Sequence, residues 1–110
     1  MNTEGIQKHS KTDPELIQVR QCIEYNQPHK LPPQYKPIEQ ELSIADNIIL
    51  RGNRIILPTK LRSKAIKLAH EDHAGMTKTK QRIRSKLWWA NMDKDIEQHI
   101  RTWHVILAKS

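Results

Sequence analysis

The chain has 110 residues, enough for one small domain and an arm but not for two independent cores. Only 36% of them are apolar and phenylalanine is absent, so three tryptophans and the Ile/Leu set must build the core. No apolar run nears the ~20 residues of a membrane span, the N-terminus has no signal-peptide core, and the sole cysteine, Cys22, excludes an internal disulfide; a reduced intracellular setting is expected.

The net charge of +7 is unevenly spread. Residues 1–50 carry five Lys/Arg against seven Asp/Glu, whereas residues 51–110 carry fourteen against five, a balance of −2 joined to one of +9. A basic half of this kind points to a polyanionic partner, with a merely solvated basic surface as the alternative.

In chain order, residues 1–11 are polar and read as a disordered tail. Asp13 is a good helix N-cap, Thr12 and Glu15 have capping-box spacing, and Pro14 suits the first helical turn. Leu16, Ile17, Val19 and Ile23 then give a short amphipathic helix to about Tyr25. The segment from Gln27 to Pro37, with Pro28, Pro32, Pro33 and Pro37, reads as an extended linker, so residues 12–40 form a helical arm and linker. Residues 42–57 read as a β-hairpin whose runs Asn47–Leu50 and Arg54–Leu57 flank a Gly52-Asn53 turn needing positive φ.

Pro58 stops the second run, and Thr59 is placed to cap a helix through His70, with Leu61, Ala65, Leu68 and Ala69 on one face. Gly75 breaks the chain, and a helix follows from about Thr77 to Leu87 with Met76, Ile83 and Leu87 inward. Trp88-Trp89-Ala90-Asn91 reads as a turn. The last helix runs from about Asp93 to Leu107, with Met92, Ile96, Ile100, Trp103 and Leu107 on its inward stripe. The fold class expected is therefore mainly α: a three-helix, helix-turn-helix-like bundle over residues 41–110, preceded by a small β-hairpin and an N-terminal helical arm.

The run Leu68-Ala69-His70-Glu71-Asp72-His73-Ala74-Gly75, then Thr77-Lys78-Thr79-Lys80, then Leu87-Trp88-Trp89-Ala90-Asn91-Met92-Asp93-Lys94-Asp95-Ile96-Glu97 resembles the integrase zinc-binding (His-His-Cys-Cys) domain of gypsy-type LTR retrotransposon polyproteins. Upstream, Thr12–Leu16, Glu41–Ile44 and Leu50–Pro58 are similar to that family's segment between RNase H and integrase, so the resemblance spans about residues 12–109. Any single piece is weak; the combination in this order is specific.

The resemblance implies a zinc site in which His70 and His73 are two ligands, but the family's two cysteines fall on Trp103 and Ile106. A closed site wants four N/S ligands, so the expectation is a vestigial half-site with no bound cofactor. His99, one turn before Trp103, is a better substitute ligand than His104, which is rotated about 100° from that position. An apolar plug at 103 and 106 either fills the metal's place or forces it open. The family's Pro-Gly turn falls on Ala90-Asn91, where Asn can still supply the left-handed conformation.

The helix after Gly75 carries Lys78, Lys80, Arg82, Arg84 and Lys86, the expected nucleic-acid contacts, and Arg51, Arg54, Lys60, Arg62, Lys64 and Lys67 extend the positive field. The resemblance implies contact with DNA ends, at low sequence specificity, and with other integrase subunits or domains, in the nucleus if the chain serves integration. No membrane and no small-molecule substrate are expected. Asp93, Asp95 and Glu97 sit in the first turns of a helix, where acids complement the dipole, and the family's catalytic acidic triad belongs to a separate domain, so no enzyme is expected here. The rival readings are a protein-interaction module using an exposed Trp88-Trp89 pair, against core packing of that pair, and an inactive relic of a polyprotein.

Overall fold

The computed structural model describes residues 2–71 and 75–109, with side chains as far as His104. The chain runs α1 (Thr3–Thr12), α2 (Pro14–Glu24), 3-10 turns at Pro28–Lys30 and Pro33–Glu41, β1 (Leu42–Ala45), β2 (Ile48–Arg51), β3 (Arg54–Ile56), α3 (Thr59–Ala69), α4 (Met76–Arg84), β4 (Leu87–Trp88) and α5 (Met92–Lys109). The molecule is mainly helical, with α3, α4 and α5 following a small sheet.

The sheet is larger than a hairpin, with four strands in the order β1-β2-β3-β4. β1 and β2 are antiparallel and joined through Asp46 and Asn47, both at positive φ (51° and 65°), the backbone that a tight two-residue turn demands. β2 and β3 meet through Gly52 at φ 57°, as its position between the two runs predicts. β4 adds in parallel to β3 through Ile55 N–H to the Lys86 carbonyl (2.9 Å) and Leu57 N–H to the Trp88 carbonyl (3.1 Å). Trp88 is thus a strand residue and not part of a turn. A parallel pair needs a crossover, and α3 and α4 supply it.

The sheet separates two cores. Ile48 and Leu57 join Ile6, Ala65, Ile66, Ile83, Trp89, Met92, Ile96 and Ile100 on one side. Ile49 and Ile56 join Leu16, Val19, Cys22, Leu31, Tyr35 and Ile38 on the other. Burial on both faces explains why Ile48-Ile49 and Ile55-Ile56-Leu57 read as unbroken apolar runs. Trp88 packs against both clusters.

Three expectations are corrected here. Residues 3–12 form a helix, not a disordered tail: Asn2 Oδ1 accepts from the Gly5 amide at 2.8 Å, and Ile6 and Ser10, four residues apart, are buried. The proline segment is not extended, because proline is well suited to open a short 3-10 turn where its missing N–H is not needed, and these turns bury Leu31, Tyr35 and Ile38. On α3, Leu61, Ala65 and Ala69 face the core as expected, but Ile66 joins them fully buried while Leu68 is 41% exposed.

Asp13 caps α2 as expected, and it does more. Its Oδ1 accepts from the Glu15 amide (2.9 Å) and the Leu16 amide (3.4 Å), while Oδ2 accepts from the Thr59 amide at 2.6 Å. Thr59 is therefore not the cap of α3; its own first N–H is satisfied by a residue 46 positions earlier. Asp13 is 8% exposed. Burial acts to raise its pKa, but the Thr59, Leu16 and Glu15 hydrogen bonds outweigh it and hold the carboxyl below the ordinary aspartate value. A depressed folded-state pKa gives stability that is present above the unfolded value of about 3.9 and is lost as pH falls through the folded one. Asp13→Ala is expected to cost about 2–3 kcal/mol, a lost cap plus an orphaned buried donor. Urea unfolding at pH 7 and pH 3 checks this: the wild-type advantage over the variant should shrink at the lower pH.

Candidate functional site

His70 ends α3 as its C-cap, with Nδ1 3.1 Å from the hydroxyl of Thr79, a fully buried residue of α4. α5 brings Trp103 against it, ring centroids 6.1 Å apart, and His104 at 5.7 Å. His99 also meets Trp103, at 5.7 Å edge-on, but its Nδ1 donates to the Asp95 carbonyl at 2.8 Å and lies 3.2 Å from that residue's carboxylate. The imidazole shown beside His70 is therefore His104 and not His99. Although residue 104 is rotated about 100° from residue 103, its imidazole still reaches the ring at the end of α3. His73 lies outside the described residues, as does the side chain of Ile106.

Trp103 has no ligating atom to offer, because its indole nitrogen lone pair belongs to the ring π system. Among the described residues there is no group of three or more His, Cys, Asp or Glu side chains that could hold a metal ion. The described residues at this corner do not make up a four-ligand zinc site.

The five basic residues of the α4 region divide. The Lys80 ammonium is 2.5 Å from Glu97 Oε1 on α5, and Arg84 pairs with Asp93 Oδ2. The Lys80 hydrogen bond and charge hold the Glu97 carboxyl below the usual carboxylate range. Arg82 donates to the Ala69 carbonyl at 2.9 Å, closing the end of α3. Lys78 and Lys86 are exposed and make no ion pair or side-chain hydrogen bond among the described residues. Asp93 and Glu97, four residues apart on α5, each take one cation of α4.

α3 shows the complementary pattern. Its Lys60, Lys64 and Lys67 are exposed, share one face at i, i+4, i+7, and have no acid on their own helix. None is ion-paired among the described residues.

The acidic residues of α5 are engaged within the fold. Asp93 is held by Arg84 and Glu97 by Lys80, while Asp95 accepts from the Trp89 indole N–H (3.1 Å). The tryptophan pair is not an exposed docking feature. Trp89 is 1% exposed and lies under the Arg62 guanidinium, 5.9 Å from the ring. Trp88 meets Tyr35 edge-on at 5.6 Å and carries the Arg51 guanidinium 5.2 Å from its ring.

Comparison with known proteins finds likenesses that include this corner and its helices. The model of the integrase zinc binding domain matches residues 57–105. The Pro-Pol polyprotein of Simian foamy virus type 1 is 35% identical over 97 residues, covering 84% of this chain and 8% of that protein. The uncharacterized protein K02A2.6 of Caenorhabditis elegans is 35% identical over 60 residues, covering 54% of this chain and 5% of that protein. The chain thus spans less than a tenth of either relative's length. No solved structure matches. Residues 57–105, which hold α3, α4 and most of α5, are thus the part of the chain that matches the integrase zinc-binding domain family.

Proposed function

We propose that the chain is a non-catalytic nucleic-acid-binding and assembly module of a retroelement integrase, acting in DNA integration, with the family's zinc site lost. The observation that carries the nucleic-acid reading is the set of exposed, unneutralised lysines on α3, on α4 and just after it: Lys60, Lys64, Lys67, Lys78 and Lys86. Neither helix contains an acid, so the faces that carry these lysines repel cations and attract a polyanion. Phosphate contacts of this kind position a duplex without reading its bases, which implies low sequence specificity. Of the residues expected from sequence, Lys78 and Lys86 are the available contacts, Arg82 and Arg84 are exposed but partly engaged, and Lys80 serves chiefly to hold α4 on α5.

The zinc reading rests on Trp103. Its ring against His70, packed on the core with Ile100 and Ile96, occupies α5 at the position where the family has a thiolate. Burial would then replace coordination as the force joining α3 to α5. His70 and His73 remain as half a ligand set. Integrase subunits or domains are the protein partners this reading implies, in the nucleus where integration takes place; the strand-transfer chemistry itself would reside in a separate domain. No helix among the described residues is long and apolar enough to cross a membrane.

Two measurements test these readings. Replacing Lys60, Lys64, Lys67, Lys78 and Lys86 by Gln is expected to weaken duplex binding at least tenfold at low salt. It should also flatten the log affinity against log salt slope by ~0.9 for each phosphate no longer neutralised. Lys80→Gln should instead lower the thermal midpoint and leave the slope near wild type. Unchanged affinity in the five-fold variant would remove the nucleic-acid reading. For the metal, wild type should show no change in helical circular dichroism or thermal midpoint with one equivalent of zinc, whereas Trp103→Cys with Ile106→Cys should bind zinc and melt higher. Tight, stoichiometric zinc binding by the wild-type chain would show that the site survives.

A further inference from the structure

Arg54, Arg84 and Lys94 come from three different elements and no sequence pattern links them. Parallel pairing of β3 with β4 sets Ile55 beside Leu87, which carries Arg54 at the start of β3 to the end of α4. The left-handed turn at Asn91, φ 62°, then starts α5 and brings Lys94 to the same place. The three cations line a cleft of about 370 Å³ together with Trp88, Asn91 and Asp93.

The charge in this cleft is not balanced. Asp93 is its one carboxylate and is paired with Arg84. The side chains of Arg54 and Lys94 make no ion pair or hydrogen bond among the described residues, although they share a concave site where field lines concentrate. Arg84 donates to Asp93 through one nitrogen, and a guanidinium has five N–H donors in a fork that matches phosphate oxygens. α5 begins at the cleft, and its dipole adds to the same potential. The neighbouring cleft of about 440 Å³ on the other side of Asn91 also uses Lys94, but there Arg62 is held by Glu15 and the Leu57 carbonyl, and Asp95 lies on its wall. The two clefts differ in unspent positive charge.

We infer that the cleft formed by Arg54, Arg84 and Lys94 is a phosphate-binding subsite, filled by one phosphate group of a nucleic-acid strand. The inference deepens the nucleic-acid reading above and takes the identity of its phosphate source from it. Two sources share this chemistry, an internal phosphodiester and a terminal phosphate. The subsite would add a preformed anchor to the open lysine faces of α3 and α4, fixing where along the basic surface a strand lies.

The test is made on the full chain in two stages. In the first, the Trp88 indole and the Arg54 and Arg84 side-chain NMR signals are followed while sodium phosphate is titrated against sodium chloride at matched ionic strength. Saturable shifts with phosphate and none with chloride are expected, and Arg54→Gln with Lys94→Gln should abolish them while the circular dichroism stays native. Arg54→Lys, which keeps the charge, should retain most of the response. Equal responses to the two salts, or an unaltered response in the double variant, would overturn the subsite.

In the second stage, duplexes with and without a 5′-phosphate are compared. The double variant should bind several-fold more weakly than wild type, with a salt slope smaller by ~0.9 for each phosphate it fails to neutralise. A wild-type preference for the phosphorylated duplex that vanishes in the double variant assigns a terminal phosphate; equal weakening on both duplexes assigns an internal one. If the double variant binds DNA as wild type does while the five-lysine variant does not, the subsite falls and the nucleic-acid function stands. If wild type binds no oligonucleotide, the nucleic-acid function falls, and the phosphate titration alone decides the subsite.

Discussion

One carboxylate holds the two halves of the molecule in register. Asp13 closes the start of α2 with one oxygen and the start of α3 with the other, so the first turns of these two helices depend on the same buried group. The link is reinforced beside it. Glu15, in the same first turn of α2, accepts from the Tyr35 hydroxyl and from Arg62 of α3 at 3.0 Å. Arg62 also donates to the Leu57 carbonyl and lies over the Trp89 ring. Burial and then the Glu15 carboxylate push the Tyr35 hydroxyl far above its ordinary pKa, so it stays a neutral donor. Breaking one partner of such a cluster leaves the others desolvated and unpaired, which makes the junction cooperative.

With α3 fixed in this way, the rest of the site follows from where its ends point. Its C-terminus delivers His70 to Thr79 and Trp103, and its outer face is left to lysines. α4 and α5 are then joined by opposite charges, Lys80 with Glu97 and Arg84 with Asp93. The basic half of the chain is thus divided by use. Some cations are spent on holding helices together, and others have no internal partner. Net charge alone does not distinguish the two, because it counts both equally.

Several elements were legible without a structure because their cause is local. Asp13-Pro14 starts a helix, Gly52 turns a hairpin, Asn91 adopts positive φ, and the period of Met92, Ile96, Ile100 and Trp103 marks the inward stripe of α5. The failures have non-local causes. α1 carries only two buried positions, Ile6 and Ser10, in a polar sequence, and burial against the sheet and α3 stabilises what composition argued against. β1 was hidden because Asp46-Asn47 is a turn without glycine, and β4 because two residues have no period. In the site, the residue types at the metal corner were readable, but the choice between His99 and His104 depended on how α5 crosses α3. The cleft of Arg54, Arg84 and Lys94 depends on a parallel strand pairing that no local pattern encodes.

The family match opens at Leu57, one residue after β3 ends. β4 lies inside that boundary, yet the strand it pairs with lies outside, and so do Tyr35 and Arg51, which pack on Trp88. The carboxylate that satisfies the first amide of α3 is outside as well. The segment that the family model covers is therefore smaller than the body that folds. A fragment cut at residue 57 would lose the strand that β4 pairs with, the packing of Tyr35 and Arg51 on Trp88 and the cap of α3, so the helices it kept would lack what orients them.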